Sequence, residues 1–383
     1  MHPPAPAIGL VPGFFGFDHR GESTYFADRF VAGIRSVLEA RGHRGVPVLS
    51  LSTLGIASLA ERQTELLAEL RGLESPSAGA PKLGGPRTWH LVGHSTGGVD
   101  AALLLRDAPL ARSEHGSTFA STGWGEWKEL VERVSSVTTI AAPHFGTGLA
   151  ESPLARFAAG RPSLRALRDA AAGVLALTRR GDLGSRARFA MSATPGLAKM
   201  PFFLVEMMIM NELARDLRPD VVGQLSARPV RAAAEGRMAA VVTVSPRPAA
   251  DHPDRLFRDM WRWTHGGAAH ADTQAQPVGS SALDDPEHRL PTQRAIVLPP
   301  LAPGDNDGIA TSQRQLLGEL LGVVIADHVD VLGRYQRYSL VDGKVIDPGL
   351  LTSGANFGDD EFFGLLLRLG ERLAAMVSSA SPR

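Results

Sequence analysis

His90-Leu91-Val92-Gly93-His94-Ser95-Thr96-Gly97-Gly98 is the stretch on which the reading of this chain turns. It leaves Thr88–Val92, apolar and of strand length, and runs straight into Thr96–Arg106, where Val99, Ala102 and Leu103 share one side of a helix. Between them stands G-x-S-x-G, with Gly93 and Gly97 two residues either side of Ser95. A serine raised from a strand end to attack a carbonyl sits on a sharp turn, where flanking side chains would collide and glycine removes them. The same turn aims the first N–H groups of the helix at the place where negative charge would develop. G-x-S-x-G alone is common by chance. The strand before it and the helix after it give this one its force, against the alternative of a glycine-rich turn with an idle serine.

Working outward, Ala7–Val11 reads as a strand ending at Pro12-Gly13. Phe26, Phe30, Ile34, Val37 and Leu38 fall on one helical face that Gly42 ends. Val46–Leu51 is a strand, Ala57–Leu70 a helix and 74–87 a loop by composition. The polar, Gly-rich 111–127 reads as a surface excursion. Val134–Ile140 and Ala239–Val244 are β-branched and apolar along their length, as suits parallel strands covered on both faces. Arg294–Leu298 reads as a further strand and Asp359–Val377 as a closing amphipathic helix. Strand and helix alternate over 7–140, give way to a helical block, and resume near 239. That break divides the chain into 1–149, 150–236 and 237–383, the middle part a lid or cap inserted in an α/β sheet or, alternatively, extra helices packed on it. Residues 245–292 resist placement.

Composition narrows the classes. Of 383 residues, 44% are hydrophobic and 21% charged, with Lys+Arg and Asp+Glu at 40 each, so no net field would gather nucleic acid. The absence of cysteine excludes disulfides, thiolate metal sites and a cysteine nucleophile. No basic cluster followed by an apolar run opens the chain, and PFFLVEMMIM at 201–210 carries Glu206 and falls short of the roughly 18 apolar residues of a membrane span. The expectation is a cytoplasmic protein with no transmembrane segment, leaderless export and oligomeric state left open.

Gly93–Ala101 (GHSTGGVDA) together with Val137–Gly148 (VTTIAAPHFGTG) resembles the bacterial triacylglycerol lipase and esterase group of the α/β-hydrolases. Specific motifs carry the resemblance over 1–150 and 300–335, and general layout elsewhere. It implies an α/β-hydrolase fold, a mostly parallel central sheet with helices on both faces and a helical lid or cap. It also implies a catalytic serine, acid and histidine in that chain order. Asn306-Asp307-Gly308 looks like the group's acid segment, with Asp305 as rival, and Asp327-His328-Val329-Asp330 like its histidine segment. His328 could instead be a buried, satisfied histidine. One oxyanion N–H would come from Thr96. The other would come from Phe14 in Pro12-Gly13-Phe14, where Pro12 stands in place of the group's histidine and so removes a polar support of the loop. The alternative for Phe14 is a core aromatic. His94 reads as a motif spacer, His144 as structural in its Pro-His turn, and His265 and His270 as residues of a Gly-rich loop.

The group often binds calcium beside the histidine. Asp330 matches one ligand, but Arg334 stands where a glutamine belongs, so Asp330 reads as a solvated or helix-capping acid. Neither a metal nor another cofactor is expected. Phe15, Phe17, Leu204, Met207 and Met208 would line an apolar acyl site, flexible methionine suiting varied chains, unless the last three are ordinary core. The expected activity is hydrolysis of small-molecule or lipid esters with apolar acyl chains. The same triad would serve an acyltransferase or amidase, and a fold of this kind could also bind ligands without turning them over.

Overall fold

The computed structural model describes residues 4–14, 19–20, 23–55, 57–75, 83–106, 110–113, 116–119, 124–151, 212–232, 235–270, 280–339, 344–349 and 351–380. Side-chain alternation along two strands organises the rest. In β1 (Ala5–Val11), Ile8 and Leu10 join one core cluster while Ala7 and Val11 join another. In β3 (Arg87–His94), Val92 joins the first and Trp89 and Leu91 the second. Both faces of these strands are therefore covered, which demands the continuous apolar runs seen in the sequence. With β2 (Val48–Ser50), β4 (Val134–Ile140), β5 (Met238–Val244) and β6 (Glu319–Ile325) they form a six-stranded sheet in the order β6-β5-β4-β3-β1-β2. Every pairing in it is parallel.

Helix α1 (Asp28–Ala40) covers the first face together with the closing helix (Asp359–Ala380). Phe30, Ile34 and Leu38 there meet Phe362, Leu366, Leu369 and Leu373. On the second face lie α2 (Leu59–Glu74) and α3 (Thr96–Leu103), with Leu66, Leu67, Leu70 and Ala101 in the core. Helix α2 starts at a capping box: Ser58 Oγ accepts from Glu61 N, and Glu61 Oε2 accepts from Ser58 N at 3.1 Å.

Several expectations change. Arg294–Leu298 is not a strand, for it follows a tight turn at Pro291–Gln293, and Val297 is 92% exposed. Its neighbourhood instead serves the sheet edge through Gln293, whose amide donates to Ile325 O at 2.7 Å and accepts from Ile325 N at 2.9 Å. The unplaced 245–292 contains α4 (Arg255–His270), so His265 and His270 are helical rather than in a loop. Phe257, Met260, Trp261 and Thr264, buried on one side at helical spacing, explain that helix, and Asp254 Oδ1 accepts from Phe257 N at its start. The excursion at 111–127 includes a small hairpin, Leu110–Ser113 with Gly116–Phe119.

Most of the helical block, 152–211, lies outside the described residues, and with it Leu204, Met207 and Met208; so do Phe15 and Phe17. Where description resumes, the helices Glu212–Asp216 and Pro219–Ser226 pack Leu213, Leu217, Val222 and Leu225 against Leu59, Val99 and Leu103. Among the described residues no helix is long and apolar enough to cross a membrane.

Candidate active site

The carboxyl ends of the strands converge on one edge, the usual place for ligands in open parallel sheets. Ser95 stands there between β3 and α3 with φ 54° and ψ −130°, a conformation that costs a non-glycine residue about 1–3 kcal/mol. Hydrogen bonds from Ser95 N to Ile140 O and from Gly98 N to Ser95 O, both 2.9 Å, hold it in place. The glycines are required by contact. A Cβ on Gly93 would lie 2.4 Å from Gly97 O, and one on Gly97 would lie 2.4 Å from both Pro12 O and Val11 O. Those obstacles are backbone and cannot swing aside. Gly97→Ala is therefore expected to cost about 2–3 kcal/mol in denaturant unfolding, and an unchanged midpoint would contradict this packing.

Asp307 and His328 are brought together. Asp307 is wholly buried, and His328 Nδ1 lies 2.8 Å from its Oδ2. The carboxylate is held by four further donors: Ile309 N at 3.0 Å and Ala310 N at 2.7 Å on Oδ1, Thr243 Oγ1 at 2.5 Å and Gln315 Nε2 at 3.2 Å on Oδ2. Thr243 comes from β5 and Gln315 from the turn before β6. His328 follows β6, and its backbone N–H donates to Asp307 O at 3.0 Å. The rival acid Asp305 is engaged elsewhere, by Arg247 Nε at 2.8 Å and Nη2 at 2.6 Å.

His94 is more than a spacer. Its ring is buried, 4.8 Å from that of His328, and it bonds Tyr25 and the His328 carbonyl. It thereby links the serine bend to the histidine loop. Thr96 is the buried first residue of α3, as an oxyanion N–H there requires. The Phe14 ring packs against the Leu59–Val99 cluster, so its side chain is an apolar contact of the core.

The support missing at Pro12 is supplied by Arg62. This wholly buried side chain donates to Pro12 O at 3.1 Å, to Gly13 O at 3.3 Å and to Leu54 O, and pairs with Asp100 Oδ2 through Nε at 2.9 Å and Nη2 at 2.7 Å. Its sequence signal was present: Arg62 and Gln63 fall on the stripe of Leu59, Leu66, Leu67 and Leu70, where a charge would be buried.

Beside His328, Asp330 is neither solvated nor a helix cap. It is 5% exposed, and its Oδ2 accepts from Asp327 N at 3.1 Å. Burial, reinforced by the charge of Asp327, pushes its carboxyl well above the usual range. Asp327 itself is pushed up to about 6 by burial, against the amide of Ser353. Arg334 donates to Thr24 O. Among the described residues no three metal-binding side chains gather at one point.

His144 is buried against Thr139, Nε2 to Oγ1 at 3.0 Å, and burial with the nearby Arg106 charge lowers it to about 3. A histidine depressed in the folded state binds its proton only on unfolding, so stability present above its ordinary value is lost as pH falls from about 6.5 to about 3. His144→Gln keeps a donor to Thr139 and removes that liability. The stability of the wild type relative to this variant is thus expected to fall with decreasing pH over that window, and parallel curves would contradict it.

No family model matches the chain, and no curated protein does. Among solved structures it is similar to a metagenomic carboxyl esterase, at 15% identity and TM-score 0.46 over 97% of this chain and 76% of the other. It is also similar to lipase 1 from Pelosinus fermentans (16%, TM-score 0.45, 97% and 99%) and to the Staphylococcus hyicus lipase (14%, TM-score 0.44, 98% and 96%). Likenesses this loose carry no weight beside the strand order, the strained serine between β3 and α3, and an acid and a histidine following the later strands. On those features the chain has the α/β-hydrolase fold.

Proposed function

We propose that the protein is a serine hydrolase cleaving carboxylic esters of apolar acyl chains. The observation that supports this most is the buried Asp307–His328 pair, whose histidine loop is tied to His94, the residue beside Ser95. In this reading Asp307 holds the proton of His328 on Nδ1, leaving Nε2 to take the proton of Ser95. Ser95 Oγ attacks the ester carbonyl, and the backbone N–H groups of Phe14 and Thr96 receive the oxyanion. The alcohol leaves with the proton from His328. Water then attacks the acyl-enzyme by the same route, and the acid and free serine are restored. That chemistry requires no cofactor.

Phe15, Phe17, Leu204, Met207 and Met208 are proposed as acyl-chain contacts on their apolar character. Fluorophosphonate labelling with the adduct mapped by peptide mass tests the nucleophile: a single adduct on Ser95, lost in Ser95→Ala, is expected, and labelling that survives the substitution would discredit it. A p-nitrophenyl ester series tests the acyl site. Rising kcat/KM beyond acetate is expected, and activity confined to acetate would argue against an apolar cleft.

A further inference from the structure

The rings behind His328 carry an inference that rests on the hydrolase reading. His94 Nε2 lies 2.8 Å from the backbone oxygen of His328. A carbonyl only accepts, so Nε2 carries the proton and Nδ1 is left with a lone pair. The Tyr25 hydroxyl, 2.7 Å from Nδ1, therefore donates to it. The Tyr25 oxygen also lies against Gly13, in the turn proposed to hold the oxyanion, so close that a Cβ there would come within 2.7 Å of it. Donation runs one way, from Tyr25 to His94 to His328, and the carbonyl at the end dictates every proton along it.

This line acts on a residue already held from the other side. His328 N donates to Asp307 O at 3.0 Å and its Nδ1 meets Asp307 Oδ2 at 2.8 Å. With the carbonyl also engaged, both backbone groups and one ring nitrogen are fixed, which leaves the direction of Nε2 little freedom. We infer that Tyr25 and His94 are positioning residues that hold the His328 main chain and the Gly13-Phe14 turn in one register around Ser95. Neutrality of His94 belongs to the device, because a cation 4.8 Å from the His328 ring would oppose the imidazolium that forms when Ser95 gives up its proton. Burial first, then the neighbouring His328, holds His94 well below the ordinary histidine range.

Two substitutions of similar size separate this role from packing. Glutamine at position 94 carries its amide nitrogen close to the former Nε2 and can still donate to His328 O. Asparagine, one methylene shorter, ends near the former Nδ1 and cannot reach. His94→Asn is expected to lower kcat about 30-fold with KM little changed, His94→Gln to stay within about threefold, and Tyr25→Phe to fall between them. A purely structural His94 would shift the melting of both variants without splitting their kcat. Equal kcat for the two, or a loss carried by KM alone, would overturn the assignment.

Should a variant fail to fold, the imidazole nitrogen-15 spectrum of the wild type decides. His94 is expected as the Nε2–H tautomer, without titration between about pH 5 and 8, and an Nδ1–H or titrating ring overturns the assignment. Labelling of Ser95 by fluorophosphonate is run alongside. Label on Ser95 with His94 variants indistinguishable from wild type rejects the positioning role and leaves the hydrolase reading standing. Absence of label on Ser95 removes both.

Discussion

Asp307→Asn is expected to lower kcat on a p-nitrophenyl ester about 10⁴-fold while the protein stays folded. The direction follows from which donors can reverse. Oδ1 accepts from Ile309 N and Ala310 N, and backbone amides cannot become acceptors. The asparagine oxygen must therefore take that place, and its NH₂ falls where Oδ2 met Thr243, Gln315 and His328. The Thr243 hydroxyl can rotate, and Gln315 Nε2 keeps the carbonyls of Thr243 and Ala310. His328 can comply only by changing tautomer, which moves its proton to Nε2 and leaves a donor where the proposed mechanism needs an acceptor for the Ser95 proton. Geometry survives while the base is lost, so the deficit should sit in kcat rather than KM. A loss under about tenfold would remove Asp307 from the proposed role.

Arg62→Met is expected to be among the most destabilising single changes outside the proposed triad, about 3–5 kcal/mol in denaturant unfolding, because it strands Asp100 in the core. Both side chains of the pair are fully buried. Burial already raises the Asp100 carboxyl, and the Arg62 charge is the main influence pulling it back. A carboxyl raised in the folded state is tolerated at low pH and costs stability as pH rises, so the deficit of Arg62→Met should shrink as pH falls and be smallest below the ordinary carboxylate value of 3.8, where Asp100 is protonated in the unfolded chain as well.

A double variant, Arg62→Met with Asp100→Leu, should recover most of the stability, since replacing a whole buried pair by apolar groups is often neutral. It should not recover turnover, because the carbonyls of Pro12 and Gly13 still lack the donor that holds their turn. Arg62→Met unfolding at the wild-type denaturant concentration would contradict this account, as would a double variant with full kcat.

What could be read beforehand follows the range of the forces involved. Val134–Ile140 is a strand over the residues its apolar run marked, because a strand buried on both faces writes its burial into every position. Arg294–Leu298 has the same β-branched look, yet between Pro291 and Pro299-Pro300 it has no room to pair. Helix α4 was hidden by its glycines and histidines, although Phe257, Met260, Trp261 and Thr264 carry its spacing. At the site, Ser95, Asp307 and His328 sit in short motifs with local signatures. Arg62, Tyr25, Thr243 and Gln315 reach it from segments far apart in sequence, and no local pattern announces a partner of that kind. Asp330 departs from expectation for a related reason: an acid beside a turn looks solvated until the fold closes over it.

Gln293 has a consequence for how the molecule behaves in company. Among the described residues β6 is the outermost strand of its side of the sheet, and such a strand invites hydrogen bonding by a foreign chain. Here one amide side chain already occupies both the N–H and the C=O of Ile325, and Arg289 bridges Val323 two residues earlier. The half of the border nearest His328 is thereby sealed against strand addition by the protein's own polar groups, a safeguard against self-association placed where an intruding chain would do the most damage.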